Sequence, residues 1–362
     1  MIKDNDELRR LAEHIYKNVR PRVRETQLTL KRYDKRVELP DPNYPQDWPL
    51  YDLANRREKL MFLQIIKAAV EQLSLKYNYK GNGRPPAYYG DIVKSLLIKA
   101  YHNYSSWRTE SELKIAKAMG IIDNYPKRAT INKYMQDRKI TAMLQDLLKM
   151  IAQPLATIET SFAVDATGIS KKYGNTTWMK IRHTPEEEKK RRDYAKLHIV
   201  TGCKTNIICA AKITKGTSHE SPFFQPLMQE TAKNFKPKNV CADMGYLSRS
   251  NVKFVRYKLK ALPWMPPKKN IRVYTKARLG AWNAMFYIFQ EHQAFFAEHY
   301  HQRSNVEATF SALKRKFGDF CRCKQETTQE NEILCKLVCF NVCVLAETLL
   351  LEEITIPFME VE

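Results

Sequence analysis

Short apolar runs bounded by turn-forming residues alternate with amphipathic stretches through the second half of this 362-residue chain. Such runs predict buried strands, whereas apolar positions spaced three or four residues apart predict helices. The predicted strands are the run from Ser161 to Asp165, two strands within 197–213 around a turn at 202–206, the run that ends at Ala242, and residues 261–265. Residues 221–234 predict a helix, with Ser221 as its N-cap and Pro222 at its first position. Alternating strands and helices predict an α/β core.

The stretch from residue 300 to residue 317 carries two stripes at helical spacing. Its polar stripe consists of Tyr300, Arg303, Glu307 and Lys314, which fall within roughly 60° of one helical face. Its apolar stripe consists of Val306, Phe310, Leu313 and Phe317. The pattern predicts a helix that is buried on one side and presents a hydroxyl, two cations and a carboxylate from the other. The alternative is a solvated face with an ordinary ion pair between Arg303 and Glu307.

Two further carboxylates follow predicted strands. Asp165 closes the apolar run that begins at Ser161, ahead of a loop that contains Gly168. Asp243 follows the run that begins at Val240, and Gly245 is expected to permit a tight turn out of that strand. An aspartate at the end of a strand also commonly caps a following helix, so each residue taken alone has a structural explanation.

Together, Asp165, Asp243 and Glu307 are the predicted catalytic and metal-binding residues. Phosphodiester chemistry with two divalent cations requires oxygen ligands that hold the two ions close together. Clustered carboxylates repel one another until cations neutralise them, so the cluster predicts two Mg²⁺ ions per site, for which Mn²⁺ is expected to substitute. Arg303 and Lys314 are then expected to hold nearby phosphates, and Tyr300 is predicted with them as a DNA-binding residue.

These residues resemble the DDE transposases of bacterial and archaeal insertion sequences. The spacing of Tyr300, Arg303, Glu307 and Lys314 is similar to the C-terminal signature of that family, Tyr-x2-Arg-x3-Glu-x6-Lys. Three other segments resemble the family over roughly residues 84–350: Asp243-Met-Gly-Tyr246, Asp165 with Thr167-Gly168, and Lys196-Leu-His198. The resemblance implies a ribonuclease H-like mixed sheet flanked by helices, with Asp165 on the first strand, Asp243 after the fourth and Glu307 on the closing helix.

The segment between Asp243 and Glu307 is short for this family. It is too short for the large β-rich insertion that some relatives carry there, which puts hairpin-forming chemistry in doubt.

The net charge of the chain indicates which class of partner it binds. The chain has 61 Lys and Arg against 39 Asp and Glu, a formal charge of +22, which favours a polyanionic partner. Double-stranded DNA is the expected polyanion, and charge alone leaves RNA and an anionic membrane open. No signal peptide is visible, and residues 333–351 contain Lys336, Asn341 and Glu347, as expected for a buried core helix rather than a membrane span.

The first 150 residues predict two regions. Residues 1–82 comprise a charged arm, a Pro-rich connector and a helix at 57–75. Residues 83–150 are a predicted all-α, helix-turn-helix-like DNA-binding domain, with helices at 91–104, 110–119 (ending at Gly120) and 130–138. Asn132, Lys133 and Arg138 are its predicted DNA contacts, although a plain helical bundle has the same pattern. Residues 155–362 form the predicted catalytic domain.

Other residue types change this interpretation little. Gly83-Arg84-Pro85 resembles a minor-groove hook but is more often a rigid turn. Cys335, Cys339 and Cys343 recur at i, i+4 and i+8 as small core residues, and reduced thiols indicate the cytosol. Trp264 and Trp282 are expected in the core rather than stacked on a base, and His219 is expected near the metal site.

The sequence therefore predicts a transposase of the prokaryotic cytoplasm, associated with the nucleoid. It is expected to bind terminal inverted repeats, cleave DNA by two-metal hydrolysis and join the 3′ ends to target DNA. Because two ends must be cut together, we expect a homodimer or higher assembly on DNA. The alternatives are a metal-dependent DNA endonuclease without strand transfer and a domesticated, non-catalytic DNA-binding protein.

Overall fold

The computed structural model describes residues 47–73, 82, 86–171, 194–268, 280–352, 354 and 356–359. The predicted N-terminal arm, most of the Pro-rich connector and the Gly83-Arg84-Pro85 turn lie outside these residues.

Five helices precede the sheet within the described residues. They are α1 (Trp48–Gln72), α2 (Tyr89–Tyr101), α3 (Thr109–Ala118), α4 (Arg128–Tyr134) and α5 (Arg138–Ala152). Gly120, with φ of 68°, follows the end of α3 as predicted. The predicted helix at 130–138 is wrong at its end, because the Asp137 side chain accepts a hydrogen bond from Lys139 N and caps the start of α5.

A five-stranded mixed sheet forms the centre of the α/β part. Its strands are β1 (Ser161–Ser170), β2 (Tyr194–Gly202), β3 (Ile208–Lys215), β4 (Asn239–Ala242) and β5 (Leu262–Trp264). They lie in the order β3-β2-β1-β4-β5, with β2 antiparallel to both β3 and β1 and with β4 parallel to both β1 and β5. The predicted mixed sheet and the hairpin around Asn206, which has φ of 63°, are confirmed.

Strand β1 is longer than the sequence suggested. It pairs with β2 from Phe162 to Ser170. At its end, Ser170 N donates a hydrogen bond to Asp319 O, and Ser170 O accepts one from Cys321 N. The prediction that Asp165 closes the strand is therefore wrong, since this residue lies in the middle of β1. As a result, Asp165 and Thr167 lie on the same face of the sheet.

The remaining helices cover both faces of the sheet. They are α6 (Ser221–Asn234), α7 (Arg249–Lys253), α8 (Ala281–Glu291), α9 (Gln293–His301), α10 (Ser304–Phe317) and α11 (Glu326–Leu351). Helix α10 packs on β1 and β2, whereas α6 packs on β2 and β3. The span of α6 is as predicted, but Glu220 rather than Ser221 is its N-cap residue.

Helix α6 lies on the sheet face opposite α10. His198, which pairs with Ala166 in the β1–β2 ladder, contacts Phe223 of α6, with the ring centroids 4.9 Å apart. Asp165, the neighbour of Ala166, contacts Arg303 at the start of α10 instead. Since successive strand residues point to opposite faces, the two helices approach the sheet from opposite sides.

Helix α11 is the core helix that the sequence predicted. It is the one described helix long and apolar enough to cross a membrane, but 78% of its most apolar window is buried within the protein. It packs against α1, α2 and α5 as well as α10 and β3. Buried Asn341 accepts a hydrogen bond from Ile208 N and donates to the carbonyls of Leu148 and Ile208. The helix thus connects the N-terminal helices to the sheet.

Candidate functional site

The sheet register brings two of the predicted acids to neighbouring positions. In the parallel pair β1–β4, Val164 lies opposite Ala242. The next residues along the two strands are Asp165 and Asp243, so both acids lie at the carboxyl end of β4. The prediction that Asp243 follows the fourth strand is confirmed.

Arg303 connects the first acid to the third. Its guanidinium donates to Asp165 Oδ2 at 3.0 Å through Nη1 and to Glu307 Oε1 at 2.7 Å through Nη2. The Asp165 side chain is 17% exposed, whereas that of Glu307 is 59% exposed. One planar cation therefore holds a buried and an exposed carboxylate together.

The four signature residues do not lie on one continuous helix as predicted. Tyr300 belongs to α9, and Arg303 occupies the N-cap position of α10 after a break in the helical pattern. The side chains nevertheless converge, since the guanidinium carbon of Arg303 lies 5.7 Å from the centre of the Tyr300 ring. The apolar stripe of α10 is buried as predicted.

Lys314 reaches the same face of the sheet from the last turn of α10. Its Nζ donates a hydrogen bond to the Thr167 hydroxyl. Burial lowers the pKa of Lys314, while Asp319 acts in the opposite direction. This ammonium, like the Arg303 guanidinium, faces the strand that carries Asp165.

The electrostatics of Asp165 reflect its burial. Burial raises the pKa of its carboxyl to about 6, whereas a hydrogen bond from Ala166 N and the charge of Arg303 act in the opposite direction. The carboxylates of Asp243 and Glu220 raise this pKa further. Asp165 therefore shares one negatively charged region with at least two other acids.

A divalent cation such as Mg²⁺ requires several oxygen ligands around one point. Within the described residues, no three His, Cys, Asp or Glu side chains are grouped closely enough to hold a metal ion. The Arg303 guanidinium instead supplies positive charge between two of the predicted ligands. Carboxylate oxygens are the ligands that Mg²⁺ and Mn²⁺ prefer, so the chemistry of Asp165, Asp243 and Glu307 fits such an ion.

The turn that carries Asp243 is braced by residues that the prediction did not assign to the site. His198 is fully buried and hydrogen-bonds both Tyr246 Oη, at 3.2 Å, and Thr214 Oγ1. Burial, and then Lys196, lower the pKa of His198 to about 4, so this ring is neutral at neutral pH. The alternation in Lys196-Leu-His198 was the available signal, because it places both polar side chains on one face of β2.

Gly245 has a different role from the one predicted. Its φ is not positive, so the turn does not require a glycine for backbone conformation. A Cβ at this position would instead lie 2.1 Å from Oε2 of Glu220. The missing side chain makes room for a fourth acid that the sequence did not reveal as part of the site. His219, which was expected near the metal site, is exposed.

Among the predicted DNA contacts, Lys133 is exposed on α4. The Asn132 amide oxygen accepts a hydrogen bond from Ser106, and Arg138 forms an ion pair with Glu330. Of the two tryptophans expected in the core, Trp264 is buried and donates to Asn239, while Trp282 is partly exposed next to Arg249.

Next to α4 lies a basic surface, which the sequence did not indicate. Trp107 is 67% exposed, and Arg128 stacks on its ring at 4.2 Å. A groove of about 500 Å³ runs between α4 and the segment before α11, and among the described residues its lining includes Lys99, Arg322 and Lys324 but no Asp or Glu.

One known protein family matches the part of the chain that carries these acids and bases. The model of the family described as "Transposase DDE domain" matches residues 157–342, just over half of the chain. The match begins before β1 and ends within α11, so it contains Asp165, Asp243, Glu307 and both basic residues of the signature. No curated protein matches the sequence. The chain belongs to the transposase DDE domain family.

Proposed function

We propose that this protein is a DNA transposase whose active site consists of Asp165, Asp243 and Glu307. The observation that carries the proposal is the contact of Arg303 with both Asp165 and Glu307, beside a strand register that places Asp243 next to Asp165. An ordinary i,i+4 ion pair on α10 would explain the contact with Glu307 but not the one with a carboxylate on the buried face of β1.

Two Mg²⁺ ions held by these three carboxylates would supply activation of the attacking water or 3′ hydroxyl and stabilisation of the leaving oxygen. Glu307 is exposed enough to turn away from Arg303, which would free both the carboxylate and the guanidinium. Arg303 and Lys314 then bind phosphate oxygens of the DNA strand, and Tyr300 orients the Arg303 side chain.

The rest of the chain is proposed to bind DNA. The strand order β3-β2-β1-β4-β5 is compatible with a ribonuclease H-like catalytic domain over residues 155–362. Residues 83–150 would form a helix-turn-helix-like domain that reads the terminal inverted repeats through Asn132, Lys133 and Arg138, and residues 1–82 would add contacts from their charged arm. The formal charge of +22 supports a polyanionic substrate.

Because two ends must be cut together, the protein would act as a homodimer or higher assembly on DNA. Its proposed location is the cytoplasm of a prokaryotic cell. The test uses duplexes with the inverted repeats found by sequencing the DNA that flanks the gene. With Mg²⁺, the wild-type protein is expected to nick at the 3′ ends, and Asp243→Asn is expected to bind the same duplex without cutting it.

A strand-transfer assay with pre-cleaved DNA ends distinguishes a transposase from an endonuclease. If the protein joins them to a supercoiled plasmid, it is a transposase, whereas cleavage without joining indicates an endonuclease. A wild-type protein that binds its ends but is inert with both Mg²⁺ and Mn²⁺ would be a non-catalytic DNA-binding protein.

A further inference from the structure

Glu220 approaches the candidate site from the face of the sheet opposite α10. It occupies the N-cap position of α6, and its Oε1 lies 2.8 Å from Lys196 Nζ on β2. Lys196 also donates to Ser218 O at 3.1 Å, which fixes the ammonium from a second direction. Both side chains are largely buried, with exposures of 16% for Lys196 and 24% for Glu220. The ion pair between Lys196 and Glu220 is therefore less exposed to water, and more fixed in position, than a salt bridge on the protein surface.

The second carboxylate oxygen of Glu220 lies against the turn that follows β4. The space that a Cβ of Gly245 would occupy is taken by Glu220 Oε2, 2.1 Å from that position. Gly245 is two residues beyond Asp243, so Glu220 contacts the segment that presents one of the predicted metal ligands. Tyr246 in the same turn is held by His198 and, through its carbonyl, by Asn251.

The charge of Glu220 acts on the site itself. Glu220 lies against the Asp243 turn at Gly245 and against Lys196 of β2, so its charge acts in a largely buried region, where screening by water is weak.

We propose that Glu220 is a fourth acidic residue of this site, which fits against the Asp243 turn in the space left by Gly245 and whose negative charge strengthens the binding of a divalent cation by Asp165, Asp243 and Glu307. The proposal rests on the metal-dependent function proposed above. Lys196, which pairs with the other carboxylate oxygen of Glu220, opposes this effect through its own positive charge.

The two members of the pair should consequently act in opposite directions. Glu220→Gln keeps the size of the side chain but removes the negative charge, so Mn²⁺ should bind at least about fivefold more weakly. Lys196→Met removes a positive charge near the site, so Mn²⁺ should bind more tightly than in the wild type. A salt bridge with a purely structural role would give the same sign for both variants, because either change would loosen the same turn.

The measurement is titration calorimetry of the full-length, metal-free protein with MnCl₂, with thermal unfolding in EDTA as a check on folding. Glu230→Gln is the matched control, since Glu230 also lies on α6 and pairs with two lysines, Lys149 and Lys233. It should leave Mn²⁺ affinity unchanged, whereas Asp165→Asn should abolish specific binding.

The outcomes are distinguishable. Weaker binding in Glu220→Gln together with tighter binding in Lys196→Met supports the proposal. If Asp165→Asn abolishes binding but Glu220→Gln binds like the wild type, or if both variants of the pair bind more weakly, Glu220 has no electrostatic role and only this proposal is overturned. If Asp165→Asn binds Mn²⁺ like the wild type, the metal site itself is overturned, and this inference with it.

Discussion

Lys314 Nζ donates a 2.6 Å hydrogen bond to the hydroxyl of Thr167, two residues beyond Asp165 on β1. Because alternate residues of a strand share a face, the ammonium lies on the same side of the sheet as the Asp165 carboxylate. Arg303 reaches this side from the beginning of α10, and Lys314 reaches it from the last turn. Helix α10 therefore supplies two cations beside a partly buried acid, as phosphate binding beside a catalytic carboxylate would require.

Replacing Lys314 with Met should impair catalysis more than DNA binding. The variant keeps the length of the side chain but loses the charge that is proposed to hold a phosphate at the site, so the rate of end cleavage should fall by roughly tenfold to a hundredfold. Gel-shift titration should show nearly unchanged affinity for the uncut duplex. Thr167→Val is the matched control, because it removes only the acceptor of the Lys314 hydrogen bond and should reduce the rate by less. Equal rates in wild type and Lys314→Met would show that Lys314 is a structural residue.

Arg303→Met should make the stability of the protein depend on divalent cations. Without the guanidinium, Asp165 is left beside other carboxylates, so in EDTA at pH 7.5 the free energy of unfolding should fall by about 1–3 kcal/mol. A cation bound by the acids would replace the missing charge, so saturating Mg²⁺ should raise the melting temperature of the variant more than that of the wild type. Differential scanning fluorimetry measures both effects.

Glu307→Gln is the comparison variant for the stability measurements on Arg303→Met. Glu307 is exposed, so its change should alter stability in EDTA by less than about 0.5 kcal/mol while it abolishes cleavage. If Arg303→Met is as stable as Glu307→Gln and does not respond to Mg²⁺, the guanidinium does not stand in for a cation at this site.

The raised pKa of Asp165 predicts how stability depends on pH. The folded protein holds the proton of this carboxyl up to a pKa of about 6, against an ordinary value of 3.8. The resulting stabilisation is fully present below about pH 4 and is lost as the pH rises through about 6. Asp165→Asn does not titrate, so its melting temperature in EDTA should rise relative to the wild type between pH 4 and pH 7, with a free-energy change of up to roughly 3 kcal/mol. A constant difference across this range would mean that Asp165 titrates normally.

Local patterns predicted the elements of the fold better than their ends. The apolar runs at β4 and β5 and the periodicity of α6 and α10 are properties of a few consecutive residues, so they are visible in the sequence. The extension of β1 beyond Asp165 is not, because Thr167-Gly168 has the composition of a loop and becomes a strand by pairing with β2, about 30 residues later. The break in the helix between Tyr300 and Arg303 could not be predicted either. The helical spacing of polar and apolar residues continues across it, so the sequence indicates one continuous helix.

The acids of the candidate site were predictable because each one follows or lies on an element with a clear pattern. Glu220 was not, because nothing in Ser218-His-Glu220 shows that β2 and the β4 turn approach it from two sides. Its contact with Gly245 joins residues that are distant along the chain, and only the folded sheet brings them together. The sequence also suggested that the turn needs a glycine for its backbone conformation, whereas the glycine is needed for space.

Lys133→Ala should weaken binding to the terminal repeats through loss of a phosphate or base contact. Lys133 is exposed on α4, whereas neighbouring Arg138 is already paired with Glu330, so Lys133 should account for more of the binding energy. If Lys133 contacts a phosphate, the slope of log affinity against log salt concentration should decrease by about one, as measured by fluorescence anisotropy at several KCl concentrations. Arg138→Ala is the control and should change the slope less. Wild-type affinity and slope in Lys133→Ala would remove this residue from the DNA interface and favour a purely structural role for α4 within the helical bundle.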